Sequence, residues 1–408
     1  MEKTIDSKLN MTIENEIKDI FAEIVEIRRN IHMHPCTGMD TEETEEYVRK
    51  KLQEYGIETL TSNCGVLGMI KGKDDSRIVA LRADMDALPL EERTNAPYRS
   101  IYENKMHACG HDAHTAMLLG AAKILNRNRG DIDCDVLLVF QPSEEGPIIS
   151  GAKEILKDID KNGLSDKIVA MFGQHVFNSI EVGTAGTKYG SMSASTDVFD
   201  IVFTGRGGHC SRPHVCIDAL SLGAKFVNEI ESFMSRRIDP LDNAICAIGT
   251  FNSGSANNIV AETAKLSASV RCQRETTRSH ILQSVDKIAK GICETWGGTY
   301  ELKITRGLPV LVNDEKTTNY AMNVMKQVLG GNSYVNITEP MMGAEDFAYY
   351  AERFPTTFVF LGTGNTEKGI IHENHNPHFD IDEDGMVIGV KIFCNLVFNC
   401  RNFELFKD

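Results

Sequence analysis

Residues 135–145, DVLLVFQPSEE, are typical of a short apolar strand that ends beside two carboxylates. Comparable apolar runs occur at 78–81 (IVAL) and 168–172 (IVAMF), and a helical pattern lies at 114–125 (HTAMLLGAAKIL). Buried strands that alternate with helices indicate an α/β protein. We therefore predict a mixed sheet that is covered by helices on both faces.

The middle of the chain has a different order of elements. It predicts a strand at 195–204, a helix at 217–237, strands at 244–251 and 263–271, a helix at 275–295 and a strand at 299–305. This β-α-β-β-α-β order is that of a ferredoxin-like unit. We expect residues 191–305 to form an inserted α+β domain, a lid or dimerisation domain, within a catalytic domain made of residues 1–190 and 306–408.

Outside these regions the pattern predicts further helices and one strand. Apolar residues with helical spacing predict a helix over 13–31, and a second helix is expected from Asp40, where Glu43 would complete a capping box, to Gly56. The remaining predictions are a helix at 320–329, a buried strand at 356–361 and a closing helix at 384–400.

Composition limits the class of protein. The chain has 408 residues, of which 42% are hydrophobic, and a net charge of −15. Such a length favours two domains, because single cores stop growing at roughly 250–300 residues. The negative charge argues against nucleic acid as a partner.

Cellular location is predicted from cysteine usage and from the absence of apolar segments. The 11 cysteines are an odd number without CxxC pairs, which favours reduced thiols in the cytoplasm. The N-terminus carries acids and has no apolar segment, so we expect no signal peptide. No run approaches the ~18 apolar residues of a membrane span.

Metal-binding side chains follow three of the predicted strands. Asp84 and Asp86 come after the first strand, Glu144 and Glu145 after the second, and His175 after the third. Sites in α/β sheets gather at the carboxyl ends of strands. One of the adjacent glutamates could bind a metal while the other moves a proton. The alternative is two solvated acids in a turn.

Cys109 and His111 precede a predicted helix. A helix N-terminus favours negative charge, so we expect a lowered pKa for the Cys109 thiol and a metal-binding thiolate. The alternative is a buried free cysteine beside a helix-capping turn.

Other histidines have weaker contexts. The segment 372–378 (HENHNPH) could supply one more ligand, or it could be an exposed polar loop. His209 lies in a glycine-rich segment that could approach another surface closely, or it could belong to a flexible loop. We expect ordinary surface or helix-end roles for His32, His34 and His280.

Taken together, the motifs resemble the aminoacylase/carboxypeptidase superfamily of dinuclear metallohydrolases, and most closely its N-acyl-amino-acid amidohydrolase branch. The resemblance covers about residues 20 to 400. The matching segments are IRRNIH (27–32), LRADMDALP (81–89), MHACGHDAHTAMLLGAA (106–122), FQPSEEG (140–146), GQHV (173–176), TGRGGHCSRPH (204–214), MGAEDFAYY (342–350) and HNPHFD (375–380).

The resemblance implies two divalent metal ions (Mn, Zn, Co or Ni) and a metal-activated water with Glu144 as general base. Asp86 would stand where the superfamily has an Asp that orients a histidine ligand, and Asp84 would replace that histidine. The implied metal ligands are Cys109, which would bridge the ions, His111, Glu145, His175 and His375.

The resemblance also implies roles within the inserted domain and near it. His209 would reach the active site of a partner subunit and stabilise the tetrahedral oxyanion, which requires a homodimer or higher homo-oligomer. Asn258 and Arg271 would clamp the substrate carbonyl and carboxylate, and Gly343 and Glu345 would lie in a loop near the substrate.

The implied substrate is a small N-acyl amino acid, cleaved to a carboxylic acid and a free amino acid. A dipeptidase or carboxypeptidase of the same superfamily is the nearest alternative. A non-catalytic protein with a structural metal is a more distant one, because structural zinc sites are usually closed and rich in paired cysteines. Two departures from the family pattern, Cys36 after His34-Pro35 and Val260-Ala261 after Asn258-Ile259, could change substrate fit.

Overall fold

The computed structural model describes residue 5 and residues 7–146, 149–331 and 333–401. The chain divides into two compact units. The larger unit comprises Met1–Gly190, Val312–Thr338 and Tyr349–Asp408, and the smaller unit comprises Ser191–Leu311 and Glu339–Ala348.

The α-helices of the described residues are α1 Ser7–Met33, α2 Glu42–Glu54, α3 His111–Arg127, α4 Gly151–Lys161, α5 Ala219–Arg237, α6 Glu275–Trp296, α7 Glu315–Leu329, α8 Ala348–Ala351 and α9 Gly385–Phe398. The strands are β1 Glu58–Thr59, β2 Val66–Ile70, β3 Ile78–Asp84, β4 Asp135–Gln141, β5 Ile168–Glu181, β6 Ala185–Gly186, β7 Gly190–Ser193, β8 Ser195–Thr204, β9 Gly208–His209, β10 Ala244–Ser253, β11 Ile259–Val260, β12 Thr263–Cys272, β13 Thr299–Arg306, β14 Leu311–Asn313 and β15 Thr356–Gly364.

A seven-stranded mixed sheet is the centre of the larger unit. Its strand order is β1-β2-β4-β3-β5-β15-β6. The four inner strands β4, β3, β5 and β15 are parallel, whereas the remaining strands are antiparallel to their neighbours. Every residue of β2, β3, β4 and β15 is buried, as expected for strands that are covered on both faces. The predicted α/β class is confirmed.

Helix α1 packs against α3 through an apolar stripe. Its buried residues recur every three or four positions, which is the spacing of one helix face. They are Ile13, Ile17, Ile20, Ile24, Ile27 and Ile31. The same core includes most of α3 and α9, so α3 lies deep inside the larger unit.

The smaller unit contains a four-stranded antiparallel sheet with the order β10-β12-β8-β13. Helices α5 and α6 pack on it. Strand β8 buries alternate residues, among them Phe199, Ile201 and Phe203, which form a core with Phe226 of α5. This strand order is that of the predicted ferredoxin-like unit. The single tryptophan, Trp296, ends α6 and is 57% exposed, and the Lys225 Nζ lies 4.0 Å from its ring centroid.

Two local expectations are wrong. Helix α2 begins at Glu42 after Thr41, whose Oγ1 donates to Glu45 Oε1 at 3.0 Å, so Asp40 and Glu43 form no capping box. Strand β5 continues past residue 172 because β15 pairs with it in parallel through Phe177 and, after a register shift, at Glu181. His175 therefore lies within a strand and does not follow one.

Within the described residues, no helix combines the length and the apolar character needed to cross a bilayer.

Candidate metal centre

The parallel strands of the larger unit bring polar side chains to one edge of the sheet. Strand β3 ends at Asp84 and its neighbour β4 ends at Gln141, just before the two glutamates, while β5 carries His175. Helix α3 starts at His111. The fold therefore gathers residues from four separate parts of the sequence.

Five of these side chains form what we call the ligand cluster: Cys109, His111, Glu145, His175 and His375. Cys109 is grouped with His111 and His175 in one triad and with Glu145 and His375 in another, and in each triad the donor atoms lie within 4.8 Å of one another. The Cys109 Sγ is 3.4 Å from His175 Nε2, and the His375 Nε2 is 2.9 Å from Glu145 Oε1. The thiol is thus shared by two adjoining triads.

Glu144 lies beside the ligand cluster. Its carboxylate is grouped with His111 and Glu145, with one donor atom of each within 4.8 Å of the others. Glu144 is partly exposed, whereas His111 is fully buried. Adjacent glutamates in a regular strand would point apart. Here Ser143 before them has a left-handed backbone, φ 51°, and the following loop lets both carboxylates reach one place.

Asp86 holds the backbone of both glutamates. Its carboxylate accepts the N–H of Glu144 at 3.0 Å and that of Glu145 at 3.1 Å. Burial raises the pKa of Asp86, although its contacts with His111 oppose that shift. Its Oδ1 is 3.3 Å from His111 Nδ1. The role of Asp86 in orienting a histidine ligand stays a prediction. Its hold on the glutamate backbone was not foreseen from the sequence.

Hydrogen bonds fix the orientation of two further histidines. His175 Nδ1 donates to Val176 O at 2.9 Å, which leaves Nε2 facing the thiol. His114 Nδ1 donates to Asp84 Oδ1 at 2.6 Å, and its Nε2 accepts the Val176 N–H at 2.9 Å. Both nitrogens of His114 are therefore engaged. These two bonds tie His114 to β3 and β5.

His375 reaches the ligand cluster from a segment that is held in a strained conformation. Its φ is 68°, in the left-handed region, and its N–H donates to Ala108 O at 2.7 Å. The neighbouring Asn374 Nδ2 donates to Cys109 O at 3.1 Å and to Val176 O at 3.2 Å. Strained backbone of this kind tends to occur at functional sites.

The chemistry of the ligand cluster fits cations. Both ring nitrogens of His111 are buried and have no hydrogen-bond partner of good geometry among the described residues. Burial by itself would lower the pKa of His111, but Asp84, Asp86 and Glu145 outweigh burial and raise that pKa to about 10. The cluster thus has an excess of negative charge that divalent ions would balance, and its thiol, imidazole and carboxylate donors suit transition metals.

One electrostatic expectation for the thiol is wrong. The pKa of Cys109 is raised well above its ordinary value, first by burial and then by Glu145 and Glu144. These effects exceed any gain from the N-terminus of α3. A bound cation, rather than the helix, would therefore have to supply the positive charge that a thiolate needs.

The smaller unit holds His209 and Asn258 next to each other. Strand β11 pairs with β9 so that Ile259 lies opposite His209, and the Cys210 N–H donates to Asn258 O at 3.1 Å. His209 is exposed, and its Nδ1 accepts the Ser211 N–H at 3.2 Å. The ring proton is therefore on Nε2, which leaves that nitrogen as a donor.

Arg271 and Gly343 lie together elsewhere in the smaller unit. Arg271 Nη1 donates to Met342 O at 2.9 Å, and the Gly343 carbonyl accepts the Ala194 N–H at 2.9 Å. Glu345 is buried, and its Oε1 accepts the Phe347 N–H at 2.9 Å. Arg271 is thus anchored by backbone next to the predicted substrate loop.

The sequence reasoning missed a buried ionic network beside the ligand cluster. His32 was expected at the surface or at a helix end, but it is 1% exposed and its Nδ1 is 2.8 Å from Asp112 Oδ2. Arg28 is fully buried against the same carboxylate. The sequence does indicate this burial, because Ile24, Arg28 and His32 are spaced four residues apart and so share the buried face of α1.

Comparison with known proteins identifies the family. Residues 80–399 match the family model described as peptidase family M20/M25/M40. The chain belongs to this family. Thermostable carboxypeptidase 1 of Saccharolobus solfataricus is 36% identical over 92% of this chain and 95% of its own length. N-acetylcysteine deacetylase of Bacillus subtilis is 35% identical over 93% of this chain and 97% of its own length.

A solved M20 structure agrees with the fold as well as with the family. A Bacillus subtilis dinuclear metal binding peptidase superposes with a TM-score of 0.81 and 32% identity, over 93% of this chain and 98% of its own. These similarities confirm the M20 membership and the amidohydrolase branch to which the sequence motifs pointed.

Proposed function

We propose that this M20 enzyme is an amidohydrolase that cleaves N-acyl amino acids to a carboxylic acid and a free amino acid. As a member of its family it is a metal-dependent hydrolase of amide bonds. One observation carries the proposal: two donor triads share the Cys109 thiol, and the carboxylate of Glu144 lies beside them.

The ligand cluster would hold two divalent cations, one in each triad. Manganese, zinc, cobalt and nickel all accept mixed nitrogen, oxygen and sulfur donors. When bound, such ions polarise a carbonyl and lower the pKa of water. Cys109 would contact both ions, and His111 would bind through one of its two buried nitrogens.

Glu144 is the proposed general base. It would take a proton from the attacking water and deliver it to the leaving amine. Asp86 supports this role, because its two hydrogen bonds to the Glu144 and Glu145 N–H groups hold the loop in place. Glu145 would serve as a ligand and Glu144 as the group that moves the proton.

The smaller unit would supply substrate contacts and a homodimer interface. His209 has the tautomer of a donor at Nε2, and we propose that it stabilises the oxyanion in the partner subunit's active site. Asn258 and Arg271 would bind the substrate carbonyl and carboxylate, with Gly343 near them. We further propose that the smaller unit corresponds to the inserted domain and that the enzyme is cytoplasmic.

The substrate class is the point to test first. The named relatives include both a deacetylase of N-acetylcysteine and a carboxypeptidase, and both activities break an amide bond. N-acetyl, N-benzoyl and indole-acetyl amino acids should be assayed beside dipeptides and N-blocked dipeptides, with each of the four metals. We expect the highest kcat/KM on an N-acyl amino acid. A preference for peptides would support the carboxypeptidase alternative, and no turnover with any metal would reject the proposal.

Glu144→Gln tests the base. The variant should retain its ions and lose turnover by about 10²–10⁴-fold, because the amide can no longer accept a proton. Metal content by mass spectrometry and steady-state kinetics would be measured together. Glu145→Gln is the matched control and should lose bound metal. Near-normal turnover in Glu144→Gln would remove Glu144 from this role.

A further inference from the structure

The guanidinium of Arg28 joins three carboxylates from two other segments of the larger unit. Its Nε donates to Asp112 Oδ2 at 2.8 Å, its Nη2 to Asp380 Oδ1 at 2.7 Å and its Nη1 to Glu383 Oε1 at 3.3 Å. The Arg28 side chain is 0% exposed. A rigid planar fork can make these three contacts at once, whereas a lysine ammonium is a single point charge.

The partners of Arg28 belong to the two segments that carry His111 and His375. Asp112 follows His111 in the first turn of α3. Asp380 lies five positions after His375, in the segment between β15 and α9. Arg28 on α1 therefore links the start of α3 to the segment that supplies the outermost ligand.

His375 is the member of the ligand cluster that most needs such support. Its side chain is 54% exposed, whereas those of Cys109, His111 and His175 are buried. Its backbone is left-handed, a conformation that persists only when the surroundings enforce it. The link to Arg28 adds to the backbone contacts of His375 and Asn374 a buried ionic tie between this segment and the start of α3.

The rest of the network holds these carboxylates in place. Tyr98 Oη donates to Asp380 Oδ2 at 2.8 Å, and its ring centroid is 4.9 Å from Arg28 Cζ. His32 Nδ1 lies 2.8 Å from the same Asp112 oxygen that Arg28 contacts. Each carboxylate of the link therefore has a second partner, which favours one fixed arrangement.

We propose that Arg28 is a positioning residue for the cation of the Cys109–Glu145–His375 triad. It does not touch the triad itself. It keeps the His375 segment at a fixed distance from α3, so that the three donors retain their spacing. This inference rests on the proposed dinuclear centre. Substitution of a residue that supports a metal ligand typically weakens metal binding by about 10–100-fold.

The test compares Arg28→Lys with Arg29→Lys. Arg29 is the next residue of α1, and among the described residues its only carboxylate partner is Glu383, at 2.6 Å. Each full-length variant would be dialysed against graded free Mn²⁺ alone, and the bound ions counted. Electron paramagnetic resonance would separate coupled Mn²⁺ pairs from single ions. Thermal unfolding of the metal-free chains would be recorded in parallel.

We expect wild type and Arg29→Lys to bind two ions. Arg28→Lys should retain the ion of the Cys109–His111–His175 triad and bind the other about 10–100-fold more weakly, with loss of the coupled signal. Unchanged affinity for both ions, or equal loss of both, would overturn the inference. If Arg28→Lys does not fold, Asp380→Ala removes the acceptor of one arm of the link and should weaken the same ion.

Failure of the proposed function has a different signature. A wild-type chain that binds two Mn²⁺ ions but hydrolyses no amide would reject the function and leave the role of Arg28 open to the same measurement. A wild-type chain that binds fewer than two ions would reject the dinuclear centre and this inference together.

Discussion

At the scale of single residues, Gly110 has little freedom to change. Its φ is 87°, and a Cβ there would lie 2.2 Å from Val176 Cγ2. Gly163 has a similar φ of 67°, but no atom lies within 4 Å of a Cβ added there. An alanine at Gly163 therefore measures the free-energy cost of the left-handed backbone without any clash. Gly163→Ala should lower the free energy of unfolding by about 1–2 kcal/mol, from the left-handed backbone alone.

Gly110→Ala should cost about 2–5 kcal/mol, because overpacking adds to the same backbone strain. It should also reduce metal content, since Cys109 and His111 flank the substitution. Urea unfolding and ion counting would check both effects. Equal destabilisation by the two alanines would contradict the close approach to β5.

Much of the candidate site could be predicted at this scale. Cys109, His111 and the two glutamates lie in short segments whose residue types already indicate metal chemistry. The supporting groups could not be predicted in the same way. The bond from His114 to the Val176 N–H joins residues 62 positions apart, and that of Arg28 to Asp380 spans 352. Such pairs are fixed only by the tertiary fold.

At the scale of elements, a buried ion pair fastens α6 to β8. Arg278 donates from Nε and Nη2 to the Asp197 carboxylate at 2.8 and 2.7 Å, and the two side chains are 4% and 0% exposed. Arg278→Met should lower the free energy of unfolding by about 3–5 kcal/mol, because it leaves a buried carboxylate unpaired.

Arg274→Met is the control for this pair. Arg274 contacts Asp242 at 2.9 Å, but its side chain is 64% exposed, so the loss should be about 0–1 kcal/mol. Replacing both partners, as Asp197→Leu with Arg278→Met, should recover part of the stability. Urea unfolding would measure all three, and similar losses for the two single arginine variants would refute the assignment.

The regular elements were predictable because their apolar periodicity is strong. Helix α1 and strand β8 follow from the spacing of apolar side chains, and β3, β4 and β15 follow from short apolar runs, whereas β1, β2 and β6 were not predicted. The exceptions arise from interactions between elements. Pairing with β15 extends β5 through Gln174 and His175, and the start of α2 is set by Thr41 and Glu45. Neither effect is encoded in a short window of sequence.

At the scale of the whole molecule, the role proposed for His209 predicts complementation between subunits. A chain with Glu144→Gln supplies an intact His209, and a chain with His209→Ala supplies an intact Glu144. In a homodimer with histidines acting in trans, one of the two sites in each mixed dimer is complete. Random reassortment should restore about a quarter of wild-type activity, since half of the dimers are mixed.

The two variants would be unfolded, mixed and refolded, and their activity compared with each variant refolded alone. Sedimentation would establish the oligomeric state of every sample. Recovery well above the separate variants supports the in-trans histidine. An active monomer, or no recovery in mixed dimers, would contradict it.

The solitary indole at the end of α6 gives this protein a built-in optical label. Trp296 belongs to the smaller unit, so fluorescence excited selectively at the indole, and not at the 10 tyrosines, follows the unfolding of that unit. Far-ultraviolet circular dichroism, by contrast, sums over every helix. Coincident curves from the two signals would mean that the ferredoxin-like fold and the metal-bearing fold lose their structure in one cooperative step, whereas separated curves would resolve the intrinsic stability of each.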